Sequence, residues 1–163
     1  MELENKYIID SCSLIDLKIK YPAGVFPGIW DKIDDLIVSN RLIAPEEVFN
    51  EIENGDDELV PWAKKRKDIF VSPDRKQIEL LKEILEKYPF LGHYEKEGPN
   101  ADPWIIALAR AKNEFPTLIP AQYVVVTEES QLRRSRIPFV CNEYQIKCIN
   151  VIQLFKEEGW KFY

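Results

Sequence analysis

Tyr7-Ile8-Ile9-Asp10-Ser11-Cys12-Ser13 sets a short apolar strand directly against a carboxylate and a run of small hydroxyl and thiol side chains. Together with the alternation of β and α along the rest of the chain, this strand argues for a mainly parallel sheet covered on both faces. Ser11-Cys12-Ser13 offers an N-cap for a helix beginning near Leu14. An acid closing a buried strand costs free energy unless it is paired. Asp10 is therefore harder to dismiss than an ordinary solvated acid.

Working outward, the same β-then-α unit recurs. A helix over Ile29 to Val38 is followed by strand Leu42-Ile43-Ala44, with Pro45 where a first helical residue is favoured. That next helix carries Val48, Phe49 and Ile52 and stops at Asn54-Gly55, and another runs from Leu59 to Lys67. Ile69-Phe70-Val71 reads as a third strand. Ser72-Pro73-Asp74 caps a helix with Ile78, Leu81, Leu85 and Tyr88 at core spacing and a Glu83–Lys87 pair outside. Phe90 to Ala101 lacks periodicity and reads as a loop. Asp102-Pro103 opens a helix, Trp104 to Lys112, that is apolar on nearly all sides. Tyr123 to Val126 and Ile149 to Ile152 supply strands four and five, before a terminal helix Leu154 to Glu158. The expectation is one α/β domain over residues 1–163: a doubly wound, mainly parallel five-stranded sheet of order 3-2-1-4-5 with helices on both faces.

Composition narrows the chemistry. At 163 residues and 45% apolar content the chain buries a core without staples. Met1 to Lys6 is no signal peptide, and no apolar run approaches the ~20 residues of a membrane span. Three cysteines, Cys12, Cys141 and Cys148, are an odd number without framework spacing and suit a reducing cytoplasm. His93 is the only histidine, which excludes a His-based zinc site, a Ser-His-Asp triad and a Cys-His dyad. A net charge of −6 argues weakly against nucleic acid, softened by Lys64-Lys65-Arg66-Lys67 and by Arg133-Arg134 with Arg136. The first cluster reads as a solvated helix face. Four Trp, seven Tyr and eight Phe are generous for one small domain. With helices after Asp31 and Asp57 leaving part of this surface open, a homodimer is expected.

Acids stand at several strand ends. Asp10 ends strand one, Glu129 follows strand four by three residues, Glu51 sits in the helix after strand two, and Asp102 opens the buried helix before strand four. In order 3-2-1-4-5 these groups can meet beyond the carboxyl ends of the strands, where such folds bind ligands. Clustered carboxylates repel, and a hard divalent cation such as Mg²⁺ or Mn²⁺ resolves the conflict. Asp10 apart, the acids also have plainer readings. Asp102 before Pro103 resembles an N-cap, Glu51 an exposed helix residue like Glu46, Glu47 and Glu53, and Glu128 competes with Glu129 for the fourth position. Only their joint placement is distinctive.

Four segments together resemble the PIN-domain ribonucleases. They are Tyr7 to Ser13, Pro45-Glu46-Glu47-Val48-Phe49-Asn50-Glu51, Ala101-Asp102-Pro103-Trp104-Ile105-Ile106-Ala107, and Val125-Val126-Thr127-Glu128-Glu129. Arg136-Ile137-Pro138-Phe139-Val140-Cys141 and Cys148-Ile149-Asn150 are similar to one PIN-like subfamily of unknown function. The resemblance implies a metal-dependent endoribonuclease with Asp10, Glu51, Asp102 and Glu129 as catalytic metal ligands. It implies further that Ser13 and Thr127 are hydroxyls orienting the carboxylates, that RNA is the substrate, and that a small antitoxin neutralises a toxin. Glu129 departs from the aspartate usual in that family, lengthening its reach by one methylene. The rival is a PIN-like protein- or RNA-binding module without turnover, which unused clustered acids disfavour. A phosphatase with D-x-D after strand one is disfavoured by Asp10-Ser11-Cys12, and a Rossmann domain by the lack of a glycine-rich turn.

Overall fold

The computed structural model describes residues 3–55, 58–92, 100–115, 117–130 and 136–163. Asp57, residues 93–99 of the expected loop (His93 among them) and the basic pair Arg133-Arg134 lie outside the described residues.

Five strands form one sheet: β1 (Glu4–Ile9), β2 (Leu42–Pro45), β3 (Phe70–Val71), β4 (Ala121–Val126) and β5 (Cys148–Ile149), in the order β3-β2-β1-β4-β5. Every pairing is parallel, with Tyr7 opposite Leu42, Ile9 opposite Val126, Ala44 opposite Phe70 and Val126 opposite Ile149. Tyr7, Ile8 and Ile9 and their neighbours Val124, Val125 and Val126 are all fully buried. Consecutive apolar residues are thus used on both faces, each such side chain contributing ~1.5–3 kcal/mol by burial.

The helices are α1 (Ser11–Lys20), α2 (Pro27–Val38), α3 (Glu46–Gly55), α4 (Val60–Lys64), α5 (Arg75–Lys87), α6 (Asp102–Glu114), α7 (Ile137–Glu143) and α8 (Val151–Glu157). α6 is the central one: Ile105 to Ala109 are fully buried, and it packs on α5, α7, β1, β2 and β4.

Several local expectations are corrected. α5 turns Gln77, Leu80 and Ile84 inward, while Ile78 is 39% exposed and Leu81 and Leu85 are only partly buried. Tyr88 is buried as expected, but ahead of it the core stripe is displaced by one residue, because the helix is oriented by its packing on α6 and not by its most apolar positions. Pro45 closes β2 opposite Val71 instead of opening α3. α4 is shorter than expected, since Lys67-Asp68-Ile69 tightens into a 3₁₀ turn that feeds β3. β5 ends at Ile149, because Asn150 caps α8 and draws Val151 and Ile152 into that helix. α7 was not expected from the sequence, being only seven residues long. Within the first basic cluster, Arg66 is no solvated charge: it forms two bonds to Asp34, at 2.7 and 2.9 Å, and lies over the Trp62 ring.

Candidate functional site

Asp10 sits where β1 gives way to α1, and its carboxylate is the N-cap of that helix. Oδ1 accepts from the Ser13 backbone N–H at 2.8 Å, while Oδ2 accepts from the Cys12 thiol at 2.9 Å and from the Thr127 hydroxyl. The cap is Asp10 and not one of the serines that follow it. The Asp10 backbone N–H in turn donates to Val126 at 3.1 Å, so the end of β1 is locked to the end of β4. Burial pushes the Asp10 carboxyl up to about 6, against the Cys12, Thr127 and Ser13 hydrogen bonds that draw it down. The same burial, with Asp10 alongside, raises the Cys12 thiol.

The two expected hydroxyls divide their work. Thr127 donates to Asp10 and accepts from the Glu129 backbone N–H at 3.2 Å, which joins two of the acids through one side chain. Ser13 bonds Asp10 through its backbone, and its hydroxyl donates to the Val126 carbonyl at 3.2 Å.

Glu129 follows β4 and turns towards the start of α7, where Oε2 accepts the Ile137 N–H at 2.8 Å and Oε1 lies 3.8 Å from Arg136. Its carboxyl rises to about 7. Burial is the largest cause, and the Asp102 and Asp10 charges add to it against the Ile137 bond and Arg136. Three acids from three separate segments therefore share one field. Glu128 goes elsewhere, accepting the Val151 N–H at 2.8 Å at the start of α8. Of the two competitors, Glu129 is the one turned towards Asp10 and Asp102.

Asp102 is the first residue of α6 and not its N-cap, a position held by Ala101 without a side-chain cap bond. The Asp102 backbone N–H instead donates to Asn100 at 3.3 Å. Its capping reading is thereby removed. Glu51, on α3, reaches the start of α1, where the Ser11 hydroxyl donates to it at 3.1 Å. Ser11, Cys12 and Arg136 are parts of this site for which the sequence suggested other roles: a helix cap for Ser11 and Cys12, and a basic cluster for Arg136.

Beside the acids opens a cleft of ≈ 500 Å³ lined by Cys12, Asp16, Glu128, Glu129, Ser130 and Arg136. An all-oxygen donor set in which the Asp102 and Asp10 charges add to the proton affinity of Glu129 matches the chemistry of a hard divalent cation. Among the described residues, however, no group of three or more acidic, histidine or cysteine side chains is placed to hold a metal ion. Asp10 accepts at the α1 terminus, Glu129 at the α7 terminus, and Glu51 from Ser11.

No helix among the described residues is long and apolar enough to cross a membrane. No curated protein and no solved structure matches the chain. A family model described as a domain of unknown function, DUF4411, matches residues 7–162, from β1 through the acids to the residues beyond α8, and the chain belongs to that family.

Proposed function

We propose that the chain is a metal-dependent endoribonuclease of the PIN type, hydrolysing RNA phosphodiester bonds as the toxin of a toxin–antitoxin pair. The observation that carries the reading is the meeting of Asp10, Asp102 and Glu129 at the carboxyl edge of the sheet, where burial first, and then the Asp102 and Asp10 charges, raise the Glu129 carboxyl to about 7. Asp10 and Asp102 would hold Mg²⁺ or Mn²⁺, with Glu51 completing the site or positioning water. A divalent ion there supplies an activated water and a clamp on the phosphodiester. Glu129 is poised near neutral pH, where a carboxylate takes a proton from water most effectively, at Oε1 or Oε2. Arg136 stands in the same cleft, where a guanidinium can receive a phosphate. A small antitoxin protein and a second copy of the chain are the partners of this reading, and the cytoplasm is its place.

The purified chain should cleave RNA with Mn²⁺ or Mg²⁺ and stop with EDTA. Equal cleavage by the Asp10→Ala, Asp102→Ala double variant would end the nuclease reading. Light scattering at tens of micromolar tests the dimer, and a single-chain mass removes it.

A second reading, a binding module without turnover, is favoured by one finding: Asp10, Glu51 and Glu129 each already accept a hydrogen bond from the protein. Retention of RNA by the wild type in Mn²⁺ with no cleavage decides for it.

A further inference from the structure

Behind α7 the chain holds a second pair of reactive groups. Cys141 is fully buried on α7, and Cys148 opens the edge strand β5. Their thiols share a side-chain hydrogen bond. The turn between them brings this about: Gln145 adopts a positive φ of 58°, and the Ile146 N–H returns to the Cys141 carbonyl at 2.8 Å. Cys148 is half-buried and lines an open cavity of ≈ 290 Å³ with Phe139, Asn142 and Lys147. One thiol thus faces a cavity open to solvent, and its partner waits directly behind it. A soft metal would need further thiolate or imidazole ligands, and the described residues supply none.

We propose that Cys141 and Cys148 are a modification site, a thiol pair that closes into a reversible intramolecular disulfide by exchange with a low-molecular-weight disulfide. The Cys148 sulfur, as thiolate, attacks one sulfur of the small disulfide. A mixed disulfide forms, and the first small thiolate leaves. The Cys141 sulfur gives up its proton and attacks the Cys148 sulfur, forming the Cys141–Cys148 bond and expelling the second small thiolate. Two protein thiols are oxidised, and one small disulfide is reduced to two thiols. Access sets the order, since only Cys148 can be reached from the cavity. The bond would close the short loop 142–147 and tie α7 to β5. Because α7 begins at the Ile137 N–H that seats Glu129, the cross-link bears on that acid's position. A disulfide with one exposed sulfur is the labile, regulatory kind.

The test treats the whole native chain with oxidised glutathione, alkylates the remaining thiols and maps the peptides. Expected are an intact-mass loss of about 2 Da, a fall from three titratable thiols to one in denaturant, a linked Cys141–Cys148 peptide, and reversal by dithiothreitol. Cys141→Ser should stall with one glutathione on Cys148, and Cys148→Ser should keep its remaining thiols reduced. A lasting glutathione adduct on wild-type Cys148, chains cross-linked through Cys148, a bridge involving Cys12, or survival of all three thiols would each overturn the proposal. Should Cys141→Ser not fold, the wild-type peptide map decides alone.

Discussion

Asp10 carries two physical roles that pull in opposite directions. As the cap of α1 it is satisfied by Ser13, Cys12 and Thr127, and as a buried charge it is penalised enough to titrate near 6. The sign follows from linkage. A carboxyl whose folded value lies above its ordinary 3.8 binds protons more tightly in the native state. Its contribution is therefore fully present below about pH 4 and is lost as pH rises through about 6, a swing of about 3 kcal/mol at most. Asp10→Asn keeps the shape, and its amide can donate to Thr127 where the carboxylate accepted. Metal-free Asp10→Asn should melt above the wild type at pH 8 and lose that advantage by pH 4, as scanning calorimetry across pH will show. An advantage that does not vary with pH would remove the buried-charge account. Mn²⁺ should raise the wild-type melting temperature, by ~2.7 kcal/mol at a hundredfold excess over its dissociation constant. Asp10→Asn and Asp102→Asn should gain far less. Equal gains in all three would mean that neither residue is a ligand.

At the scale of elements, the displaced face of α5 shows packing overriding local pattern. Ile84 is fully buried and Ile78 is 39% exposed, although both are isoleucines on one helix. Ile84→Ala should cost ~2–5 kcal/mol and Ile78→Ala under ~1 kcal/mol in urea unfolding, and the reverse ranking would restore the sequence-based face. The α8 terminus makes a sharper case. Asn150 accepts the Gln153 N–H at 2.8 Å, and Gln153 accepts the Asn150 N–H at 2.8 Å, so the reciprocal box stops β5 as firmly as it starts the helix. Asn150→Ala should lose ~1 kcal/mol of stability, whereas a surface asparagine with no such role would lose almost none.

Across the whole molecule, one polar clamp binds the last helix to the sheet. Glu158, the C-cap of α8, accepts from Arg41 at 2.8 and 2.6 Å and from the Tyr7 hydroxyl at 2.5 Å, and Arg41 also donates to Asn5 at 3.0 Å. The Arg41 and Tyr7 hydrogen bonds, with the Arg41 charge, hold the Glu158 carboxyl below the usual glutamate range in spite of its burial. Here the sign is opposite to that of Asp10: the contribution is present above the ordinary glutamate value and is lost as pH falls through the depressed one. Glu158→Ala should cost ~2 kcal/mol at neutral pH, chiefly by leaving Arg41 and Tyr7 without their acceptor. In urea titrations that cost should shrink under strong acid. A cost that stays constant with pH would mean lost packing and not lost charge.

Much of this architecture was legible in the sequence, for reasons that are local. Tyr7-Ile8-Ile9 and Val124-Val125-Val126 are runs that only a doubly covered parallel sheet can bury, and strand order follows from connections that stay short and right-handed. Asp10, Asp102 and Glu129 were legible as candidates because polar residues at strand ends and ahead of buried helices are costly without a purpose. What the sequence could not determine is how each carboxylate spends its oxygens. Glu128 and Glu129 are chemically identical neighbours that both line the cleft, and the α8 and α7 termini decide which helix start each of them holds. The α5 face and the meeting of Cys141 with Cys148 were settled in the same way, by partners far along the chain or across a turn. Burial and hydrogen-bond satisfaction are properties of the folded surroundings. Periodicity can announce that a side chain needs a partner, but only the tertiary structure supplies one.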